Sequence, residues 1–122
     1  MDTAADRLHN ERMNRTTYLG EFEHLVLLAV LGLDEEAHSR AIRRELETRV
    51  GRQVSRSSAY ITLERLVNKG YLEARMAEAT SGRGGRGRRY FSLTAQGRAA
   101  LRESGRALMR MWAGHEGLLE EP

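Results

Sequence analysis

The fold is decided by the stretch VSRSSAYITLERLVNKGYLEARMAEATSGRGGRGRRYFSLT, residues 54–94. Its first part has apolar residues at helical spacing, with a serine where a helix cap is expected and a glycine where the helix should stop. The predicted cap is Ser55 and the predicted stop is Gly70. The predicted buried stripe is Ala59, Leu63, Leu66 and Val67. The pattern therefore predicts an amphipathic helix that ends at Lys69.

The remainder of this stretch alternates, which is the pattern of half-buried strands. The first alternating segment is YLEARM, with Leu72, Ala74 and Met76 on one face. The second is RRYFSLT, with Phe91 and Leu93 on one face. A connection rich in glycine and arginine joins the two segments, so they predict a β-hairpin with a long tip.

Two further helical patterns precede the stretch and one follows it. The first, YLGEFEHLVLLAVLGLDEE, is predicted to be capped by Thr17 and to stop at Gly32. The second, SRAIRRELETRVG, is predicted to begin from Ser39 as its cap and to stop at Gly51. Thr94 is predicted to cap the last helix, which opens with AQGRAAL.

The resulting order is three helices, a hairpin and a last helix. It predicts a fold that is mainly α with a small β-hairpin (α+β), namely a winged helix-turn-helix followed by a C-terminal helix. We expect an N-terminal extension over 1–17, a winged-helix DNA-binding domain over 18–93, and a C-terminal dimerisation helix and tail over 94–122.

The hairpin tip contains GRGGRG, which matches a dinucleotide-binding fingerprint in letters only. That fingerprint must follow a strand and open a helix, whereas these glycines lie between two strand patterns. A Walker loop is excluded because the Lys-Ser/Thr end is missing, and a disordered Arg-Gly tail would lie outside a fold. A solvated tip without a role stays an alternative. We interpret the tip as a DNA-binding wing, with Arg83, Arg86, Arg88 and Arg89 as its candidate phosphate contacts.

Charge is distributed unevenly along the 122 residues. The balance is −5 over 1–39, +11 over 40–110 and −3 over 111–122, for a net charge of +3. A basic middle between acidic ends indicates a polyanionic partner, because clustered cations attract phosphates and release their counterions. Double-stranded DNA is therefore the expected partner.

The composition excludes several other classes of protein. Cysteine is absent, which excludes disulfides, thiol catalysis and cysteine-based zinc sites. No apolar run is long enough for a membrane span and the N-terminus does not resemble a signal peptide, so we expect a cytoplasmic protein. The four histidines lack metal-ligand spacing and no nucleophile-base arrangement is visible. We therefore predict no enzyme activity, no metal and no cofactor.

The helix that begins after Ser55 is predicted to enter the major groove with its N-terminal end first. Its candidate DNA contacts are Ser55, Arg56, Ser57, Ser58, Tyr60, Thr62 and Arg65. Arg56, Ser57 and Ser58 are assigned to base reading, and Tyr60 either to phosphate or to packing against the hairpin. Arg40 and Arg43 of the preceding helix are predicted to contact the DNA backbone.

Taken together, these motifs resemble the PadR-like transcriptional regulators. The resemblance rests on Tyr60, the LxRL of 63–66, the KGYL of 69–72, the wing, RRYFSLT and GRAAL, and it covers about residues 19–108. It implies a winged-helix homodimer that binds near-palindromic operators, usually as a repressor. Ser57 and Ile61 depart from a common glycine and a common proline, so the operator sequence cannot be carried over.

The last helix carries a row of residues spaced alternately four and three positions apart, which is the spacing of a coiled-coil seam. These residues are Leu101, Gly105, Leu108, Trp112, His115 and Leu119. The resemblance implies that they form a dimer interface; the alternative is packing on their own domain. Some relatives hold flat aromatic molecules between tryptophans at this interface, so Leu108 and Trp112 are candidate contacts of a small aromatic effector, with simple interface packing as the alternative.

Two other functions stay open at this point. A winged-helix protein-interaction module would bind DNA weakly and without salt dependence. A non-specific nucleic-acid binder using the Arg/Gly loop would bind every sequence equally.

Overall fold

The computed structural model of the protein describes residues 19–77 and 87–122. Its helices are α1 (Glu21–Leu33), α2 (Ser39–Val50), α3 (Arg56–Asn68) and α4 (Ala95–Trp112), and its strands are β1 (Leu72–Ala77) and β2 (Arg88–Leu93). Short 3₁₀ turns follow α1 (Asp34–Glu36) and α4 (Glu116–Glu120). The predicted winged helix-turn-helix, mainly α with one hairpin, is confirmed.

Three of the predicted helix ends are confirmed. Ser55 Oγ accepts a hydrogen bond from Ser58 N at 3.1 Å, and Thr94 Oγ1 accepts one from Gly97 N at 2.9 Å. Each hydroxyl satisfies a backbone donor that the first turn leaves unpaired. Gly51 ends α2 with a φ of 66°, in the left-handed region that glycine enters without strain.

Two predicted helix ends are wrong. His38, not Ser39, caps α2, because His38 Nδ1 accepts from Ala41 N at 3.2 Å while Ser39 is already helical. Gly32 lies inside α1, and the chain instead turns at Asp34, which has a φ of 52°. Thr17, the predicted cap of α1, lies outside the described residues; Gly20 occupies the N-cap position of α1.

The hairpin is antiparallel, with Leu72 opposite Leu93 and Ala77 opposite Arg88. A third extended segment joins it before α2, where Phe91 N donates to Ala37 O at 2.8 Å and His38 bridges to Tyr90. The start of α2 is therefore fixed to the hairpin by backbone hydrogen bonds. This places the basic residues at the start of α2 beside β2.

The core lies between α1, α2, α3, the hairpin and the first half of α4. Its most deeply buried side chains are Val26, Leu27, Val30, Ile42, Leu63, Leu66 and Leu72. The start of α4 approaches the chain closely, since a Cβ on Gly97 would lie 2.0 Å from Tyr71 O. Thr94 Oγ1 also donates to Gly70 O at 2.6 Å. These contacts fix α4 to the end of α3.

The second half of α4 leaves the domain. Leu101 is buried in the core, with 7% of its surface exposed. Leu108 lies two turns later on the same face of the helix and is 52% exposed. The helix ends at Trp112, and Gly114 turns the chain with a φ of 89°. A bare helical arm that ends in a short 3₁₀ segment therefore projects from the domain.

Candidate nucleic-acid interface

The N-terminal end of α3 presents a cluster of hydroxyls. Ser55, Arg56, Ser57 and Ser58 are all exposed, as predicted for a surface that reads DNA. The hydroxyl of Ser55 is occupied, because it caps the helix and donates to Ser58 Oγ at 2.9 Å. Ser55 therefore positions its neighbours, and the outward groups of this end are Arg56, Ser57 and Ser58.

One predicted contact on α3 is wrong. Thr62 is only 5% exposed, so its hydroxyl cannot reach DNA. Its position three residues after Ala59 and four before Leu66 places it in the buried stripe. Sequence reasoning missed this because threonine was taken as polar, although the helical spacing alone assigns Thr62 to the core.

The outer face of α3 carries Tyr60, Ile61 and Arg65. Tyr60 is 60% exposed, which contradicts the alternative in which it packs between helix and hairpin. Ile61 is 56% exposed and follows Ser57 and Ser58 by four and three residues, so it lies on their face. Sequence reasoning missed Ile61 as a contact; an apolar side chain here suits the methyl group of thymine.

The two described arginines of the wing have different surroundings. Arg89 forms an ion pair with Glu64 of α3, and its guanidinium lies 5.0 Å from the Phe91 ring centroid. Its charge is already compensated, so the prediction of Arg89 as a phosphate contact is not supported by its geometry. Arg88 is exposed, with Nη1 3.3 Å from His38 Nε2. The predicted contacts Arg83 and Arg86 lie outside the described residues.

Basic residues from α2 and the hairpin gather around His38. Burial lowers the pKa of His38, and the nearby charge of Arg88 lowers it further; Glu36 raises it, while Arg40 and Arg44 add smaller downward effects. Arg88 contacts the imidazole directly, and Arg40 and Arg44 lie one turn apart on the helix that His38 caps, so these cations share one region of the surface. Neutral His38 adds no charge to this region. Because His38 Nδ1 accepts from Ala41 N, its single proton lies on Nε2, and the 3.3 Å approach of Arg88 Nη1 to Nε2 is a contact between two donor groups, not a hydrogen bond.

A cleft of about 380 Å³ lies between α2 and the turn before α3. It is lined by Arg40, Arg43, Arg44, Glu47, Gln53 and Val54. Among the described residues, Arg43 Nε is buried without a hydrogen-bond partner. The three arginines make the cleft strongly basic, so it would attract an anion such as a phosphate. Arg44 was not predicted, although it follows Arg40 by one helical turn.

The hairpin adds one further cation. The Arg75 guanidinium lies 4.9 Å from the Tyr90 ring centroid, and the Tyr90 ring stacks edge-on against His38 at 5.6 Å. Sequence reasoning placed Arg75 on a strand but assigned it no contact. The stacking holds Arg75 on the same hairpin face as His38.

The residues of the predicted seam on α4 have different surroundings. Gly105 faces α1, where a Cβ would lie 4.0 Å from His24 Cε1, and Leu101 is a core residue. Both therefore pack on their own domain. Leu108 is exposed and Trp112 is half-buried, while His115 and Leu119 follow the end of the helix and cannot continue its face. Glycine at 114 allows the turn that interrupts the repeat.

Other kinds of site are not found in the described part of the chain. No three metal-ligating side chains gather there. No helix in residues 19–77 and 87–122 is long and apolar enough to cross a membrane.

Comparison with known proteins gave one family match and several structural matches. Residues 27–103 match the model of the Transcriptional regulator PadR-like family. A PadR-like transcription factor from Bacteroides fragilis superposes with a TM-score of 0.65 at 23% identity, covering 90% of this chain and 98% of the other. A PadR family transcriptional regulator from Eggerthella lenta gives 0.62 at 24% identity, covering 98% of each chain.

A further solved structure contains nucleic acid. Bacillus subtilis PadR in complex with operator DNA superposes with a TM-score of 0.55 at 15% identity, covering 67% of this chain and 46% of the other. At these identities the structural matches establish the fold. No match was found among curated proteins.

Proposed function

Because the chain belongs to the PadR-like family of transcriptional regulators, we propose that it binds a near-palindromic operator as a homodimer and represses transcription. As a member of this family it is a regulator and not an enzyme. Its proposed site of action is the cytoplasm, where such a regulator meets DNA.

The exposed N-terminal end of α3 carries the proposal. Arg56, Ser57 and Ser58 project from a helix end that also offers backbone N–H groups and the positive end of the helix dipole. A major groove admits an α-helix, and side chains at its N-terminal end then meet base edges. Arg56 can donate two hydrogen bonds to a guanine, and Ile61 can contact a thymine methyl.

The basic surface around His38 is proposed to hold the DNA backbone. Arg88 contacts His38 at the start of α2, and Arg40 and Arg44 follow one turn apart on the same helix. Phosphate contacts fix the position of a protein on the duplex and dominate the salt dependence of binding. Arg40 and Arg43 line the α2 cleft together with Arg44.

The bare half of α4 is the proposed dimer surface. Leu108, Met109 and Met111 are each more than half exposed. A second copy would cover these side chains, and a two-fold dimer would place its recognition helices about 34 Å apart, one turn of DNA. Leu108 and Trp112 are the proposed contacts of a small aromatic effector beside the two-fold axis, with interface packing as the alternative use.

The test is fluorescence anisotropy on DNA from upstream of the gene, compared with a shuffled duplex over a salt series. We expect at least ~10³-fold tighter binding to the native duplex. Equal affinity for both duplexes at every salt concentration would favour the non-specific binder. Weak binding without salt dependence would favour the protein-interaction module.

Single variants distinguish residues that contact bases from residues that contact the DNA backbone. Arg56→Ala should cost about 1–3 kcal/mol on the native duplex and relax the sequence preference, if Arg56 contacts a base. Arg40→Ala should weaken binding to both duplexes and reduce the salt slope by about one. Arg110→Ala is the matched control, because Arg110 is an exposed arginine on α4, away from the proposed DNA surface. A loss in Arg110→Ala equal to that in Arg56→Ala would contradict the assignment.

A further inference from the structure

The imidazole of His38 is held in one orientation by its neighbours. Its Nδ1 accepts a hydrogen bond from Ala41 N at 3.2 Å, which caps α2. Its ring lies edge-on to the ring of Tyr90, with the centroids 5.6 Å apart and the planes at 88°. The backbone of His38 also pairs with that of Tyr90 in an isolated bridge. The ring therefore has little freedom to rotate, and Nε2 faces Arg88.

The cap fixes the tautomer of this ring as well as its orientation. A ring nitrogen that accepts a hydrogen bond carries no proton, so the proton of neutral His38 lies on Nε2. Burial lowers the pKa of His38, and the charge of Arg88 lowers it further. Glu36 raises this pKa, while Arg40 and Arg44 add smaller downward effects. At neutral pH His38 is therefore a neutral donor through Nε2 and not a second cation beside Arg88.

An acceptor oxygen is missing from this arrangement. Arg88 Nη1 lies 3.3 Å from His38 Nε2, and both nitrogens carry hydrogens. Within residues 19–77 and 87–122, no oxygen accepts a hydrogen bond from either nitrogen. Two donors at this separation can both reach one oxygen at about 2.9 Å, because the three atoms then form a triangle. The pair is therefore arranged for an oxygen that a ligand supplies.

The surroundings of the pair favour an oxygen with negative charge. His38 caps α2, on which Arg40 and Arg44 follow, and Arg88 is the first residue of β2. In the described part of the chain, none of these three arginines forms an ion pair with a carboxylate. Their charges add at this place on the surface, and phosphate groups are the anions that the DNA backbone presents to such a surface.

We propose that His38 is a contact of the DNA backbone, with its neutral Nε2–H and Arg88 Nη1 donating to the same phosphate oxygen. This inference rests on the proposed function and deepens it, because it adds a contact that brings no charge. One ring then has two uses, since Nδ1 caps α2 and Nε2 binds DNA. The rigid ring holds the phosphate in a fixed relation to α2, and so to α3, which packs on α2.

Two substitutions separate the two nitrogens of the ring. His38→Asn keeps an acceptor at the same number of bonds from the backbone as Nδ1, and asparagine is a good N-cap, so only the distal donor is lost. His38→Gln places an amide N–H at the same number of bonds as Nε2, so a distal donor is kept while the cap is weakened. The full-length parent chain and both variants are compared by urea denaturation and by anisotropy on the native and shuffled duplexes.

The two variants should differ in opposite directions for stability and for binding. His38→Asn should be as stable as the parent chain and should bind both duplexes roughly two- to tenfold more weakly. His38→Gln should be less stable, yet it should bind more tightly than His38→Asn under conditions where both are folded. If His38 were only structural, affinity would follow stability and His38→Gln would bind more weakly than His38→Asn. That result, or an affinity equal to that of the parent in His38→Asn, would overturn the proposal.

The salt dependence distinguishes a neutral donor from a cation. His38→Asn should leave the salt slope unchanged, since a neutral group releases no counterion, whereas Arg88→Ala should reduce the slope by about one. A reduction of about one in His38→Asn would show a charged imidazolium and would overturn the neutral contact. The variant with both changes should lose less affinity than the sum of the single losses, because removing either donor loosens the same phosphate. Additive losses would overturn the shared oxygen.

The tautomer can be measured directly on the full-length chain. Long-range ¹H–¹⁵N spectra of the imidazoles distinguish a ring protonated on Nε2 from one protonated on Nδ1 or on both nitrogens. The signal of His38 among the four histidines is identified by its loss in His38→Asn. We expect the Nε2–H form with and without the native duplex, and a change in the Nε2 chemical shift when DNA is added. An imidazolium or a proton on Nδ1 in the complex would overturn the assignment.

The results for the parent chain separate this inference from the proposed function. Equal binding of the parent to the native and shuffled duplexes would contradict a specific operator, while the variants would still test the phosphate contact on either duplex. Specific binding by the parent, with the same affinity in His38→Asn, would overturn the contact and leave the proposed regulator intact. A parent chain that binds neither duplex would overturn both.

Discussion

Lys69 Nζ lies 2.8 Å from Glu23 Oε2 and 3.1 Å from Glu23 Oε1, joining the end of α3 to the first turn of α1. The Glu23 side chain is 9% exposed and that of Lys69 is 29% exposed. Glu23 Oε1 also accepts from Gly20 N at 3.2 Å. The only lysine of the chain therefore neutralises a buried carboxylate that caps α1, and so helps to set the position of α3.

Replacing this lysine should destabilise the domain. Lys69→Met leaves the Glu23 carboxylate buried without its cation, and we expect a loss of about 1–3 kcal/mol in the free energy of unfolding, measured by urea denaturation. Arg49→Met is the matched control, because Arg49 pairs with Glu45 at 3.5 Å while its side chain is 73% exposed. That change should cost less than about 0.5 kcal/mol. Equal losses in the two variants would show that burial of Glu23 does not matter.

The two arginines of the wing should behave differently in DNA binding. Arg88→Ala should reduce the salt slope by about one, because Arg88 is exposed and has no carboxylate partner in the described part of the chain. Arg89→Ala should leave the slope almost unchanged, because Arg89 is neutralised by Glu64.

Glu64→Gln provides the control for this difference. It releases Arg89 from its ion pair, so Arg89→Ala made in that background should now reduce the salt slope. The salt slope is measured by anisotropy titrations at several salt concentrations for the parent chain, the three single variants and the Glu64→Gln, Arg89→Ala double variant. Equal slopes for Arg88→Ala and Arg89→Ala in the parent chain would contradict the assignment.

A glycine at the start of α4 should be essential for packing. Gly97→Ala would place a Cβ 2.0 Å from Tyr71 O, and the backbone of β1 or α4 would have to move. We expect a loss of about 1–3 kcal/mol in the free energy of unfolding, which is the usual cost of overpacking. Gly117→Ala is the control, since a Cβ there meets nothing within 4 Å. If both variants melted at the same temperature as the parent chain, the close approach of Gly97 to Tyr71 O would not require glycine.

The stability of the domain should fall as the pH falls below neutrality. Burial lowers the pKa of His24, whose Nδ1 lies 2.8 Å from Ser104 Oγ. The unfolded chain therefore takes up a proton near the ordinary value of about 6.5, while the folded chain takes it up only at a lower pH. The contribution of His24 is complete above about 6.5 and is lost as the pH falls toward the folded pKa. His38, whose pKa is also lowered, adds to the loss.

His24→Gln tests this pH dependence directly. Urea denaturation between about pH 7 and pH 5.5 should show a shallower fall in stability for the variant, because one titrating group is removed. His115→Gln is the control, since His115 is exposed beyond the end of α4. A slope that is unchanged in His24→Gln and reduced in His115→Gln would contradict the prediction.

Most of the architecture could be predicted because it depends on local physical rules. Helical spacing located the core of α3, side-chain oxygens located the caps at Ser55 and Thr94, and glycine located the end of α2. The ends that were predicted incorrectly depended on other parts of the chain. His38 caps α2 in a position that is fixed by the bridge to Tyr90, and no local pattern contains that pairing.

The predictions of individual contacts were less complete, because the burial and pairing of a side chain depend on its neighbours in space. Thr62 was predicted to contact DNA but lies inside the core, whereas Ile61, which was assigned no contact, is exposed beside Ser57 and Ser58. Arg88 and Arg89 are adjacent and chemically identical. Alternation along β2 directs one toward His38 and the other toward Glu64.

The sequence alone determined the order of the elements and the family, and it predicted which helix reads DNA, because periodicity, caps and clustered charge act within short segments of chain. Only the tertiary structure decided which cations are already neutralised, which part of α4 belongs to the core and where its arm becomes bare. Those properties arise from contacts between residues far apart in sequence, such as Arg89 with Glu64 and Lys69 with Glu23. The spacing of residues within a single segment cannot predict such contacts.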